Sequence, residues 1–532
     1  MVRQIVYRNI SRNNLINYHR QIGEAIEIIY SSSLPNYYDE LANHFTIAND
    51  SQKALYYSRL AGQKAKENYA HDHAIKYFEN ALKFEDNIEK IFNLKLELID
   101  TFIVIGNYSK AIEQLEACIR INPNAHQVYQ KYGKVCENTG EYQKSLAMYE
   151  TGVKLTIGTN AVYYFQADIA WLYTRMGKYK EAFKECEKIL KERSRLSKQV
   201  LGDVFMIIGV IDLRLGKLDK AESEFKKALK IRASSGDKKR IAACYLDIGI
   251  SYADRFNFKM AKQSYEKALA IYQEIGYQEG ILLAYNNLGA LHASQDLNAA
   301  ENYYLKALGN AKLIGARRTL TYLFNNLAGI EFNLMMFDEV LENYKQALKI
   351  AKEINFHEGI IFANLGLSEI HREKQKHKQG QRFLNAALRE AVQMKMKYLN
   401  IDCMKEQIEY LLLDGQIKKA EKLVKKIVIQ SKIESIMAYK VDIFIYQAKI
   451  KAEQKQFKKA HNYLNKAYTL VKPLGDQRLQ GQILYLKGVT YKKERKLKDS
   501  MQMLVKASRF FKKIGNLRYL DYIEKEIGTT RI

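Results

Sequence analysis

Residues 241–276 read IAACYLDIGISYADRFNFKMAKQSYEKALAIYQEIG, and they contain one complete unit of a pattern that repeats along the chain. In the second half of this stretch, Ala261, Tyr265 and Ala268 are spaced four and then three residues apart, which puts them on one helical face. In the first half, Ile248 and Gly249 stand about twelve residues before Ala261. The stretch therefore predicts two helices that pack against each other across a short turn.

The same spacing recurs in both directions from this unit. We call the first residue of each set its anchor. From Ala182 onward the anchors recur after 39, 40, 39, 40, 40, 40, 40 and 40 residues, at Ala221, Ala261, Ala300, Val340, Gly380, Ala420, Ala460 and Ser500. Earlier anchors are Ala74, Ala111 and Ser145. Because such intervals do not arise by chance, the sequence predicts an array of helix-turn-helix units.

Glycines mark the ends of the predicted helices. Gly177 and Gly216 lie between the two helices of their units, and Gly276 follows the second helix of its unit, with Asn355 in the equivalent place later on. Glycine and asparagine tolerate the left-handed conformation that stops a helix. Only three prolines occur in 532 residues, at Pro35, Pro123 and Pro473, which also favours long helices with short connections.

The repeated pattern, a large residue followed by Leu-Gly and then Ala-x-x-x-Tyr/Phe-x-x-Ala, resembles the tetratricopeptide repeat (TPR) family over residues 51–530. The 40-residue version is similar to the repeats of kinesin light chains, spindle scaffold proteins and bacterial regulators. The resemblance implies an all-α superhelical solenoid of about twelve repeats, the first and last degenerate. It also implies that the first helices of the pairs line a concave surface that binds a protein or peptide ligand.

The first fifty residues carry a different resemblance. MVRQIVYR at the start, IGEAIE at residues 22–27 and DELANHF at residues 39–45 are similar to the junction between an ATPase and winged-helix module and its TPR array. Signalling proteins of the STAND class, fused to nucleotidyl cyclases or protein kinases, have such junctions. The predicted domains are therefore residues 1–50, a helical remnant, and residues 51–532, the solenoid. No GxxxxGK[ST] motif occurs, so the ATPase activity is not carried over.

No catalytic or metal-binding pattern is found in the sequence. His71, Asp72 and His73 are the closest approach to a metal site, but a spacing of two directs the two imidazoles to different sides of a helix. We expect no enzyme activity, no cofactor and no metal. The five cysteines contain no CxxC pair and are predicted to be buried in a cytoplasmic, reducing environment. No apolar run is long enough to span a membrane.

The candidate peptide site lies on first helices of consecutive units. Asn287 and Asn326 precede the Leu of the repeat pattern, where the resemblance implies hydrogen bonding to the backbone of a bound peptide. Asn286 and Asn325 stand beside them, and Asp247 occupies the same register one unit earlier. The alternative is that these side chains cap or pack against neighbouring helices. Three aromatic residues lie two positions before that register, as ligand anchors or as packing between repeats: Tyr245, Tyr285 and Phe324.

The formal net charge of +26 leaves a second interpretation open. Residues 401–532 contain 29 lysine and arginine against 14 aspartate and glutamate side chains, an excess of 15. A basic field attracts nucleic acid without specificity, although such lysines also solvate ordinary helix faces. We predict a protein- or peptide-binding scaffold or sensor that forms the regulatory part of a signalling system. The alternatives are a nucleic-acid-associated solenoid and a part of a multidomain signalling enzyme.

Overall fold

The computed structural model describes residues 10–255, 257–394, 396–431 and 437–528. They divide into two compact units. Unit 1 comprises residues up to 157 together with residues 313–316, and unit 2 comprises residues 158–312 and the chain from residue 317 onward. Both units are all-helical in their described parts, as predicted.

The described part of unit 1 contains eight α-helices: α1 (Arg12–Ile29), α2 (Tyr38–Ile47), α3 (Ser51–Glu67), α4 (His71–Leu82), α5 (Ile88–Val104), α6 (Tyr108–Ile121), α7 (His126–Thr139) and α8 (Tyr142–Leu155). A 3₁₀ helix, Ser31–Tyr37, connects α1 to α2.

The α-helices that follow are α9 (Val162–Arg175), α10 (Tyr179–Lys191), α11 (Lys198–Arg214), α12 (Leu218–Ala233), α13 (Lys238–Asp254), α14 (Phe258–Glu274), α15 (Gln278–His292), α16 (Leu297–Leu313), α17 (Arg317–Asn333), α18 (Phe337–Glu353), α19 (His357–Glu373), α20 (His377–Gln393), α21 (Lys397–Leu413), α22 (Ile417–Ser431), α23 (Met437–Glu453), α24 (Phe457–Val471), α25 (Gln477–Lys493), α26 (Leu497–Ile514) and α27 (Leu517–Gly528). Short 3₁₀ helices occur at Arg193–Arg195 and Lys472–Leu474.

From α3 to α26 the helices pair in sequence, and we call the first helix of each pair A and the second B. The described ranges contain twelve such pairs, as the anchor spacing predicts. Glycine on the A helix lets the B helix approach closely. A Cβ atom added to Gly249 would lie 2.4 Å from the Tyr265 ring, and one added to Gly209 would lie 2.4 Å from the Phe225 ring. The sequence signature thus encodes the contact within the pairs that carry this glycine.

The turns also follow the prediction. Gly177 and Gly216, between the A and B helices of their pairs, both have a φ of +73°. Asn355, which replaces glycine after a B helix, has a φ of +52°. These left-handed residues end one helix and redirect the chain into the next.

Within unit 2, the A helices form the inner layer. Several neighbouring A helices pack directly on one another, as α13 does on α15 and α17 on α19, whereas neighbouring B helices in the described part of the unit make no comparable contact. A layer whose members lie closer together is the concave side of a curved stack. The five cysteines are all buried and unpaired, as predicted. Of the described helices, none combines the length and apolarity needed to cross a bilayer.

The helices of the first fifty residues pack like a repeat. A Cβ atom on Gly23 of α1 would lie 2.8 Å from the Phe45 ring of α2, which reproduces the glycine–aromatic contact of the later pairs. The residues of the opening string at 1–9 lie outside the described residues. The resemblance of residues 1–50 to the end of an ATPase module stays a prediction.

Unit 2 also contains contacts that the repeat pattern does not encode. Asn516 donates to Asn333 across 183 residues (2.9 Å), and Gln477 donates to Gln295 across 182 residues (3.1 Å). Two further interactions bring α27 onto the ends of the A helices α17 and α19. Arg518 pairs with Glu369 at 3.2 Å and lies 4.0 Å from the centroid of the Phe332 ring. The last helix is therefore held by repeats from the middle of the chain.

Candidate functional site

The predicted aromatic residues lie on three consecutive A helices and are all partly buried. Tyr245 of α13 and Tyr285 of α15 pack against a core cluster that includes buried Leu246 and Leu288. A lysine of a B helix lies over each of the three rings: Lys267 over Tyr245 at 5.5 Å and Lys306 over Tyr285 at 5.9 Å from the paired B helix, and Lys312 of the preceding B helix α16 over Phe324 at 5.9 Å. The three rings thus share one position in the repeat, and each has a lysine side chain over it.

Three of the four predicted asparagines are joined by hydrogen bonds. Asn326 of α17 donates its Nδ2 to Oδ1 of Asn286 on α15 at 3.4 Å. Asn286 in turn donates to Oδ1 of Asn287 at 3.5 Å. Both distances exceed the usual range for N–H···O bonds, so these are weak interactions. The result is a chain of amides that crosses from one repeat to the next.

The fourth asparagine is arranged differently. Asn325 donates to the backbone carbonyl of Thr321 within its own helix, at 3.0 Å. Its Oδ1 is buried and has no hydrogen-bond partner among the described residues. A side chain bonded to its own helix is not directed toward a neighbouring repeat, so Asn325 stands apart from the amide chain.

Asp247 of α13 is the acidic member of the predicted set. It is partly exposed, but the surrounding protein displaces water, and this burial raises the pKa of Asp247 to about 7, with Arg232 opposing the shift. No described side chain forms an ion pair with Asp247. Arg232 is instead committed to Asp203 at 2.6 Å and to the Cys244 sulfur at 3.2 Å. A carboxyl group in this state changes charge near neutral pH.

A second polar cluster on the A helices was not predicted from the sequence. Ion pairs join consecutive A helices from α19 to α23: Arg372–Glu406 at 3.0 Å, Lys405–Asp442 at 2.8 Å and Lys449–Glu409 at 2.6 Å. Their members are 34 to 40 residues apart, so each pair links one repeat to the next. Opposite charges about one repeat apart were the available signal. These groups are mutually satisfied, which indicates a role in holding the repeats together.

The described residues contain no group of three or more His, Cys, Asp or Glu side chains arranged to hold a metal ion. The A-helix face described above presents amides, aromatic rings and paired charges. Such groups bind through hydrogen bonds and shape.

Comparison with known proteins gives one family model, described as tetratricopeptide repeat, which matches residues 204–274. Tetratricopeptide repeat protein 21B of Xenopus laevis is 29% identical over 106 residues, which are 20% of this chain and 8% of that protein. The chain thus spans a small fraction of that relative's length.

Among solved structures, yeast Tom70 is similar over 90% of this chain and 97% of its own, with 15% identity and a TM-score of 0.38. A Rap protein complexed with competence and sporulation factor is similar over 66% of this chain and 99% of its own, with 14% identity and a TM-score of 0.48. The quorum sensor NprR of B. thuringiensis, in its apo form, covers 65% of this chain and 98% of its own, with 12% identity and a TM-score of 0.46. The family model covers most of the helices α11 to α14, and the other described helix pairs repeat the same helix-turn-helix arrangement.

Proposed function

We propose that this chain is a scaffold that binds an extended peptide segment of a partner protein on the A helices α13, α15 and α17. The observation that carries the proposal is the chain of amides formed by Asn326, Asn286 and Asn287. A primary amide offers both a donor and an acceptor, which is what the backbone of an extended peptide requires. Binding of this kind depends on the peptide backbone more than on its side chains.

The weakness of the amide chain supports its exchange for a ligand. Bonds of 3.4 and 3.5 Å contribute little, so the free protein loses little when a peptide replaces them. The partly buried position of the three side chains strengthens each new hydrogen bond, because water competes less there. In this proposal the rings of Tyr245, Tyr285 and Phe324 shape the site, and Asn325 is not used.

The test is a triple variant, Asn286→Ala, Asn287→Ala and Asn326→Ala. Peptides selected from a random library on the wild-type protein are measured against both proteins by fluorescence anisotropy. Removing three hydrogen bonds at about 1 kcal/mol each corresponds to a loss of affinity of about 100-fold. The matched control removes exposed asparagines from B helices, Asn302→Ala and Asn462→Ala, and keeps wild-type affinity.

Circular dichroism checks that the triple variant folds. If it folds and binds the selected peptides as tightly as the wild type does, the amide site is wrong. A loss of affinity as large in the control variant has the same meaning, because it points to a general effect of removing amides.

The proposal extends to a regulatory role in a cytoplasmic signalling system. The resemblance of residues 1–50 to an ATPase junction supports it, and the five buried, unpaired cysteines fit a reducing compartment. An antibody against the solenoid, applied to native extract, tests the fusion to a signalling module. We expect a native chain well above 61.8 kDa; a single band at that mass contradicts the fusion.

A further inference from the structure

The positive charge of this protein is concentrated on one layer of one unit. Residues 1–157 carry 18 basic and 18 acidic side chains, so the whole surplus of 26 lies beyond them. The four B helices α20, α22, α24 and α26 carry sixteen lysine and arginine side chains and three acidic ones. The A helices of the same repeats, α19, α21, α23 and α25, carry ten lysine and arginine side chains and eight acidic ones. The excess therefore belongs to the outer layer.

All sixteen cations are exposed, and they share one face. They are Lys378, Arg382, Arg389, Lys418, Lys419, Lys422, Lys425, Lys426, Lys458, Lys459, Lys466, Lys498, Lys506, Arg509, Lys512 and Lys513. At 3.6 residues per turn, their positions relative to the buried anchors fall within a stripe about 140° wide, opposite the anchors. We call this stripe the basic ridge.

The acidic side chains of these helices hardly weaken the ridge. Glu390 and Glu421 lie at its edges, where they pair with His357 and Lys451 of the A helices. Asp499 is the one acidic residue within the stripe. None of the sixteen cations forms an ion pair with another described residue, whereas inner-layer cations such as Arg372 and Lys405 are paired. The charge of the ridge is therefore available to a ligand.

The composition of the ridge selects among polyanions. An anionic membrane is bound by basic surfaces that also present Trp, Phe or Leu, and a single strand of nucleic acid needs aromatic rings on which bases stack. No aromatic side chain of α20, α22, α24 or α26 in the described residues is among the large exposed ones. Four exposed aliphatic side chains lie on these helices, and three of them (Val392, Ile429 and Val505) fall within the stripe while Leu497 does not; each occupies a different register, so they form no continuous apolar strip. This leaves a surface suited to phosphates.

The cations also form rows across the helices. Lys378, Lys418, Lys458 and Lys498 each stand two residues before an anchor, and Lys426, Lys466 and Lys506 each stand six residues after one. Eight residues separate the two rows, or about 12 Å along a helix. That is close to the roughly 12 Å width of the major groove of B-form DNA, which separates its two phosphate strands.

We propose that the basic ridge binds double-stranded DNA through the phosphates of its backbone, without reading base sequence. In the earlier B helices of unit 2, Asp219, Asn298 and Asp338 interrupt the row that stands two residues before the anchor. The row six residues after the anchor continues there, but its Lys188 and Lys227 are paired with Glu185 and Glu224. The uninterrupted first row thus begins at α20. It lies on the layer opposite the proposed peptide site, so one protein binds both ligands through separate surfaces.

The experiment measures binding of the full chain to a fluorescent 30-base-pair duplex by anisotropy, over a series of KCl concentrations. The row variant is Lys378→Gln, Lys418→Gln, Lys458→Gln and Lys498→Gln. The slope of log K against log salt is negative, and each phosphate that a lysine no longer neutralises makes it shallower by about 0.9. The magnitude of the slope should therefore decrease by roughly 2 to 4. The control removes four exposed lysines outside the ridge, Lys184, Lys220, Lys259 and Lys349, and keeps the wild-type slope.

A companion variant with arginine in place of the four row lysines should restore the wild-type slope, because charge and not lysine itself is required. Three results overturn the proposal. One is absence of salt-dependent binding to the duplex by the wild-type chain. Another is an equal fall of the slope in the control variant. The third is tighter binding to single-stranded DNA, to duplex RNA or to phosphatidylserine vesicles than to duplex DNA at the same salt concentration.

Discussion

Replacing Asp247 with asparagine should stabilise α13 at alkaline pH and leave it nearly unchanged in acid. The pKa of this carboxyl rises from its ordinary value of 3.8 to about 7 in the folded chain. Below about pH 4 this carboxyl is protonated in both the folded and the unfolded chain, and the folded state is at its most stable. As pH rises from there through 7, the unfolded chain ionises more readily than the folded one, so the free energy of unfolding falls. Three pKa units correspond to at most about 4 kcal/mol, and partial exposure to water reduces this to about 2 kcal/mol. Asparagine keeps the shape of the neutral acid and removes the free-energy cost of holding an ionised carboxylate at this position.

Hydrogen exchange measured by mass spectrometry on peptides from α13 reports this difference locally. At pH 8 the Asp247→Asn chain should exchange about 30-fold more slowly than the wild type, and at pH 5 only about threefold more slowly. The control is Asp414→Asn, at an exposed carboxyl after α21, which should leave the exchange of α13 unchanged. Equal protection of wild type and Asp247→Asn at pH 8 would refute the reasoning, because it would mean that Arg232 already balances the buried charge.

Three further predictions concern packing and ion pairs. Gly209→Ala should lower the free energy of unfolding by about 1 to 3 kcal/mol in urea denaturation, because the new methyl group meets an aromatic ring, whereas Gly309→Ala in α16, with nothing within 4 Å, should raise it by about 1 kcal/mol. Arg372→Met should cost about 2 kcal/mol or more at pH 8, and adding Glu406→Met should recover most of that loss; a double variant less stable than the single one would contradict this. Arg518→Ala should speed amide exchange in α27 about tenfold while amides of α24 keep their protection, and unchanged exchange in α27 would show that other contacts hold this helix.

The repeat architecture was predictable because each contact that defines it is local. The approach of Phe225 to Gly209 involves residues sixteen positions apart, and a glycine meets an aromatic ring at the same spacing at Gly133–Tyr149 and Gly249–Tyr265. A solenoid repeats one nearest-neighbour interface, so a periodic sequence specifies it. The turn residues, including Asn355, were predictable for the same reason.

The candidate site was predictable only in part. Register placed the four asparagines on facing A helices, but it could not show that Asn326 bonds to Asn286 while Asn325 bonds to its own helix. Those choices depend on side-chain direction within a helix, which spacing does not fix. The contact between Arg518 and Glu369 depends on how far the repeats turn, and no sequence period records that angle.

The basic ridge carries a sequence signal that a linear reading misses. Its lysines appear scattered along the chain, and they align only when residues are compared at the repeat distance. Lys418 and Lys458 then occupy one row. Charge in a repeat protein is therefore best assessed by register, helix by helix.

The contacts of Asn333 with Asn516 and of Gln295 with Gln477 also determine how unit 2 responds to force. An open solenoid lengthens smoothly, since each repeat tilts slightly against its neighbour. Here two points more than 180 residues apart are tied directly, and the tie has to break before the intervening repeats can spread. Unit 2 should therefore resist extension up to a threshold and only then behave as an elastic coil.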